Sequence, residues 1–252
     1  IIRLCDRRLG VGSDGVLLFE RAETPALARM IYFNSDGSRA ETCFNGLRCV
    51  ALHAARSGVV ESGQEFSIQS DAGIVKARVE SGFNGVSICM AGPEFDPSRV
   101  PLHLDQPVIE TNLDFDRFSL TGTALSLGNP HFVVWKEDSE LDQLNRLIFE
   151  WGAEVEHAVY FPARVNFEIA SVVDPRTIHA AIWERGVGRT PACGSGATAA
   201  VCAGVKTGRL PVEQPIVVIM AGGRLTITPH TDLKQVSVTG EAAHVFNGQI
   251  EL

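Results

Sequence analysis

The stretch "ACGSGATAAV" (192–201) sets a cysteine before three small residues and then opens an apolar run that reads as a helix. A second stretch, "CFNGLRCVALH" (43–53), does the same thing 150 positions earlier. The offset holds well beyond the two cysteines. Gly46 falls on Gly196, Gly58 on Gly208, Gly73 on Gly223, and Val86-Ser87-Ile88 on Val236-Ser237-Val238. Upstream, "MIYFNSDG" (30–37) falls on "AAIWERGV" (180–187), and no gap is needed. Ordered matches at one fixed spacing are the mark of an internal duplication. The chain therefore reads as two homologous halves.

Each half repeats one local programme. A short apolar strand (Met30–Phe33; Ala180–Trp183) enters a polar loop, and the cysteine follows. Then comes a helix of about 14 residues, closed by Gly58 or Gly208 as the left-handed residue beyond its C-terminus. β-like runs joined by glycine-containing turns complete the half. In the first helix Leu47, Val50, Ala51 and Ala54 share one face, so that helix is amphipathic. In the second, Ala197, Ala199, Ala200, Val201 and Ala203 leave almost no polar surface, which predicts full burial. The second half also has a front section. It holds a strand with a polar lead-in, "LSLGNPHFVVW" (125–135), and an amphipathic helix, "ELDQLNRLIFEWG" (140–152). The helix has its counterpart in "IIRLCDRRLG" (1–10). The strand has none, so the duplication predicts about 25 further residues, carrying a GN-plus-strand element, ahead of Ile1. The expected class is α/β, built as two pseudo-symmetric domains.

The chain has 252 residues, with 22 Lys and Arg against 30 Asp and Glu, a net charge of -8. An acidic chain without basic clusters points away from nucleic acid and from anionic membranes. No apolar run reaches the length of a membrane helix. The six cysteines are spaced neither as Cys-x-x-Cys nor densely enough for a disulfide scaffold, so reduced thiols in the cytoplasm are expected. Cys5, Cys49, Cys89 and Cys202 read as small buried hydrophobes.

Cys43 and Cys193 read differently because both stand at a helix start. The first N–H groups of a helix lack internal partners, and its dipole is positive there. That placement predicts a stabilised thiolate and a lowered pKa. The neighbouring N–H groups, from Phe44-Asn45 and from Gly194-Ser195, are placed to bind a carboxylate. If the halves pack as a pseudo-symmetric pair, the two thiols face each other across a cleft. Such a pair suits inversion of a Cα stereocentre, with one thiolate removing a proton and the other thiol delivering one to the opposite face. No cofactor is then required. N–H groups aimed at the carboxylate would stabilise the charge that builds there.

These motifs resemble the diaminopimelate epimerase family. The resemblance runs through "RRLGVGSDGVLLFE", "YFNSDGS", "CFNGLRC", "LGNPHFVV", "ARVNFE", "WERGVGRTPACGSGA", "GGRLTI" and "GEAAHVFNGQIEL". Paired cysteine motifs are shared with proline racemases, whereas the GNPH and ERG segments make the likeness specific. The resemblance implies that Cys43 and Cys193 are the acid/base thiols, with Phe44, Asn45, Gly194 and Ser195 as the carboxylate cradle. It implies that Glu184 binds the ammonium beside the reacting centre. Asn34, Asn129, Asn166 and Arg185 would hold the distal amino-acid end, and His131 would stand next to the thiols as an auxiliary catalytic group. Arginine can give a carboxylate two parallel hydrogen bonds, and asparagine can orient a zwitterion. The implied activity is cofactor-independent conversion of LL- to meso-diaminopimelate, a step toward lysine and peptidoglycan precursors, by a cytoplasmic homodimer. The alternatives are a racemase or epimerase of another amino acid, or a non-catalytic amino-acid-binding relative. Two departures stand out. Phe44 replaces the family's usual glycine after the first thiol, adding a ring near the expected pocket. Gly15 stands where some members carry glutamine. The implied fold wraps a sheet around a central helix in each domain, with 1–92 plus 241–252 as the first domain and 93–240 as the second. A C-terminal strand within 241–252 is expected to return to the first domain.

Overall fold

A computed structural model of the chain describes residues 1–22, 25–40, 43–71, 73–83 and 85–251. It divides into two units, Ile1–Cys89 with Thr239–Leu252, and Met90–Val238. The first unit runs α1 (Ile2–Cys5), β1 (Gly15–Arg21), β2 (Ala28–Asn34), β3 (Arg39–Ala40), α2 (Phe44–Arg56), β4 (Glu65–Ser70), β5 (Gly73–Val79) and β6 (Val86–Ala91). Its sheet has the order β1-β2-β4-β5-β6. The second unit runs β7 (Thr111–Asp114), β8 (Ser119–Ser126), β9 (Pro130–Trp135), α3 (Leu141–Glu156), β10 (Asn166–Asp174), β11 (Thr177–Glu184), β12 (Gly188–Thr190), α4 (Gly194–Lys206), β13 (Ile216–Met220), β14 (Gly223–Pro229) and β15 (Gln235–Gly240). Its sheet has the order β15-β14-β13-β11-β10-β9-β8-β7.

The duplication read from the sequence recurs in the pairing register. β2 runs parallel to β4 with Ala28 opposite Ile68, and β11 runs parallel to β13 with Ile178 opposite Val218. Tyr32 sits opposite Ala40 as Ile182 sits opposite Thr190. Ser70 sits opposite Gly73 as Met220 sits opposite Gly223. Each of these pairs recurs at the 150-residue offset. Gly58 and Gly208, with φ of 72° and 75°, turn the chain out of α2 and α4. An L side chain adopts that conformation only with strain, so both turns favour glycine.

Packing follows from the two side-chain periods. On α2, Leu47, Val50, Ala51 and Ala54 are buried together against β-strand residues such as Met30, Ile68 and Ile88. Withdrawing each Leu or Val from water contributes roughly 1.5–3 kcal/mol. α4 is buried from Gly194 to Gly204 and packs on β8, β9, β10, β11, β13 and β14. A helix of small residues suits this position, because strands can close around it from several sides. α3 covers the other face of the second sheet. Its Leu144, Ile148 and Val155 pack with Phe132, Phe167, Ile169 and Ala181. β10 therefore lies between two helices, and Asn166–Ser171 are all buried.

Two sequence-based expectations differ from the structure here. Residues 241–251 form no strand, and Val245, Phe246 and Ile250 are exposed. A strand exists only when its backbone pairs with an edge, and these residues find none among the described residues. Leu252 lies outside the described residues. Cys49 is exposed on α2 and Cys89 is half-buried, whereas Cys5 and Cys202 are buried as expected of small hydrophobes.

Candidate active site

Strand alternation decides which side chains reach the second thiol. Phe167 and Ile169 of β10 point to α3, so Glu168 between them points to α4. The same period sends Phe132 and Val134 of β9 to α3 and His131 to the α4 side. On β11, Ala181 joins the α3 core and Trp183 packs against it, which leaves Ile182 and Glu184 for α4. A Cβ added to Gly196 in the first turn of α4 would lie 2.9 Å from both Glu168 Oε1 and Ile182 Cδ1. Glycine at 196 is what lets the helix start settle on these strands.

Cys193 caps α4 and is only 9% exposed. Its Sγ donates to Glu184 Oε2 at 3.1 Å and lies 3.3 Å from Ser195 Oγ. The surroundings of the sulfur run against the lowered pKa expected at a helix start. Burial, helped by the negative charge of Glu184, pushes the Cys193 thiol up to about 12, against the pull of the Ser195 hydroxyl and the Gly196 N–H. Desolvation of the charged sulfur here outweighs the helix end. His131 is fully buried. Its Nδ1 meets Glu168 Oε1 at 2.7 Å and its Nε2 meets Asn129 Oδ1 at 2.9 Å. Burial also holds the Glu168 carboxyl above the usual range, with His131 pulling it down and Glu184 pushing it further up.

The turn after β11 is fixed from below. Asn166 donates to Pro130 O at 2.8 Å and accepts from the Arg185 N–H at 3.0 Å. Glu156, at the end of α3 and nearly fully buried, accepts from Trp183 Nε1 at 2.7 Å and from the Gly186 N–H at 2.8 Å. Its two bonds bracket Glu184 and Arg185. The Arg185 guanidinium itself donates to Ala163 O at 3.0 Å. The structure thus brings Asn129, His131, Asn166, Glu184, Arg185, Gly194 and Ser195 to the neighbourhood of Cys193 through shared strands, bonds and one helix start.

Cys43 caps α2 in the same way but with the opposite bonding. Its Sγ accepts from the Gly46 N–H at 3.3 Å. Burial pushes this thiol up as well, and the N–H groups of Gly46 and Asn45 pull it partly back. The expected lowering fails here for the same reason. Asn34 occupies the β2 position that matches Glu184, and its amide donates to Ser38 Oγ at 2.9 Å. Asn34 makes no bond to Cys43. Phe44 is partly buried, and its ring packs against the core of the first unit. At Gly15 a Cβ would meet Phe33 O at 2.5 Å and the Tyr32 ring at 2.6 Å, which leaves no room for a larger side chain there.

Three residues escaped the sequence reading. Glu168 left a signal, an acid inside the apolar run "VNFEIA". Arg48 left a weaker one, a cation between the core positions Leu47 and Val50. Glu156 left none, since an acid late in an amphipathic helix ordinarily faces water.

The sequence model of one family, Diaminopimelate epimerase, matches residues 1–95 and 123–245. The chain belongs to the diaminopimelate epimerase family. It is 39% identical over 250 residues to a diaminopimelate epimerase of Desulforudis audaxviator, covering 98% of this chain and 87% of that one. A diaminopimelate epimerase of Geobacillus thermodenitrificans is 40% identical over 252 residues, covering 97% and 84%. Among solved structures, a probable proline racemase from Agrobacterium radiobacter matches with a TM-score of 0.70 at 17% identity, over 100% of this chain and 80% of that one. A hydroxyproline epimerase from Agrobacterium vitis matches with a TM-score of 0.64 at 16% identity, over 95% and 76%. At that identity these two establish the fold alone. Family and fold agree with the reading made from the duplicated motifs. No helix among the described residues is long and apolar enough to cross a membrane.

Proposed function

We propose that this chain is a diaminopimelate epimerase that inverts one Cα centre of LL-diaminopimelate to give the meso isomer. One observation carries the reading: a cysteine caps each of two helices built in the same register, and only such a matched pair supplies a proton acceptor and a proton donor of the same kind. One thiolate takes the Cα proton and becomes a thiol. The bond's electron pair passes toward the carboxylate, whose charge the N–H groups at positions 44–45 or 194–195 stabilise. The other thiol gives its proton to the opposite face and becomes a thiolate, so atoms and charges balance. Glu184 receives the ammonium near the reacting carbon. Asn34, Asn129, Asn166 and Arg185 hold the distal amino-acid end, and His131 stands beside the thiol at 193. The enzyme works without a cofactor, as a homodimer in the cytoplasm.

The test starts with one pure isomer in deuterated water, stopped early. Product should carry deuterium at Cα while the remaining starting isomer stays protiated, because the donating thiol exchanges with solvent and the accepting thiol returns the substrate's own proton. Substantial early label in unreacted substrate would overturn the two-base reading. A panel of other amino acids run alongside fixes the substrate.

A further inference from the structure

The duplication aligns Arg48 with Thr198, and Asn34 with Glu184. The charged member of each pair therefore sits in a different half. Near Cys193 the charge is the anion Glu184, and the sulfur donates to it. Near Cys43 the charge is the cation Arg48, and the sulfur accepts an N–H.

Arg48 is an unusual residue for its place. It is 7% exposed, in the first turns of α2. Its Nη2 donates to Asn45 Oδ1 at 2.7 Å. Its Nε and Nη1 are buried without a hydrogen-bond partner among the described residues. A guanidinium that leaves water with two donors unused is costly unless a negative charge forms nearby. Its counterpart Thr198 has no such need, because its hydroxyl donates back to Gly194 O at 2.8 Å.

We propose that Arg48 is a positioning residue for the first thiol: through Asn45 and its buried charge it makes Cys43 the cysteine that ionises first in the free enzyme, while Glu184 keeps Cys193 protonated. The proposal rests on the two-thiol reading above. It orders the protons that reading requires, since the free enzyme then meets the isomer whose Cα proton Cys43 can accept. Among the described residues the other titratable groups around Cys43 are Tyr32 on β2 and Cys49 on α2. Neither is cationic, so among the described residues Arg48 is the one charge there that favours the thiolate, adding to the larger pull of the Gly46 and Asn45 N–H groups. Around Cys193 stands Glu184 on β11, with Glu168 on β10 behind it. Burial and Glu184 oppose ionisation of Cys193, and Glu168 acts on Glu184 rather than on the sulfur.

Iodoacetamide labelling of the unliganded protein across a pH series, read cysteine by cysteine by mass spectrometry, tests this. The midpoint of each profile reports ionisation, whereas access alters only its rate. The midpoint for Cys43 should lie below that for Cys193. In Arg48→Gln the Cys43 midpoint should rise by about one unit, roughly a tenfold loss of thiolate at neutral pH, with Cys193 unmoved. kcat should fall by about tenfold with KM nearly unchanged, and Arg48→Lys should recover part of it. A Cys193 midpoint at or below that of Cys43 in the unmodified protein overturns the proposal even if Arg48→Gln does not fold. So does an unmoved Cys43 midpoint in a folded Arg48→Gln. Failure of the two-thiol reading is distinct, since it shows as epimerisation surviving Cys43→Ala.

Discussion

Around Cys43 the sulfur accepts an N–H and a buried guanidinium stands on the same helix; around Cys193 the sulfur donates to a half-buried carboxylate, with the buried acid Glu168 on the neighbouring strand. The backbones of the two sites match in register, helix length and closing glycine. A duplicated backbone can thus be kept while its side chains diverge in sign. Backbone register is held by many pairings at once, and shifting it would flip every side chain on a strand. A single position near a helix start is free to change, and there one buried charge decides which way a proton moves.

The largest effect that would break this comparison is loss of either thiol. Cys43→Ala and Cys193→Ala should each lower epimerisation by at least about a thousandfold, checked by chiral separation of products. Near-normal rates in either variant would mean that the two halves do not share the chemistry. Next comes Glu184→Gln, which removes the negative charge that holds the Cys193 proton. Its labelling midpoint should fall relative to that of the unmodified protein, and the Cys43 profile should stay where it was. A Cys193 midpoint that did not fall would mean burial alone sets it.

The matched glycines sharpen the comparison further. Gly196→Ala puts a methyl 2.9 Å from Glu168 Oε1 and from Ile182 Cδ1, in a fully packed site. It should destabilise by about 1–3 kcal/mol in a denaturant titration. Gly46→Ala meets Leu17 Cδ2 at 2.7 Å, with Met30 Sδ and Cys43 Cβ at 3.3 Å. Leu17 and Met30 have flexible ends that can give way, so the loss should be smaller than at 196. Equal losses would show that the first helix start is as tightly packed as the second. The smallest effects are at the closing glycines. Gly58→Ala and Gly208→Ala meet no atom within 4 Å, so only backbone strain remains, about 1–2 kcal/mol at each. Thermal melts should move equally for the two, because their φ angles match.

Much of the fold was legible because it rests on periodicity. The 150-residue offset, the apolar face of α2, the all-small α4, the amphipathic α3 and the two closing glycines are local patterns, and each became the element it suggested. The residues around Cys193 were legible as types, since GNPH, VNFE and WERG each place a polar group at the end of an apolar strand. What those groups bond to was not. Glu168 and Glu156 act through residues far from them in sequence, His131 by 37 positions and Trp183 by 27.

By itself the sequence determined that the chain is a duplicated α/β protein with a cysteine capping one helix in each half, because register, helix faces and caps depend on neighbours along the chain. Only the tertiary structure decided the electrostatics of those cysteines. A helix start lowers a thiol's pKa where water can still reach it. Here strands bury the sulfur, so desolvation outweighs the helix end, most at the buried Cys193, where Glu184 adds to it, and less at the half-buried Cys43, where Arg48 pulls the other way.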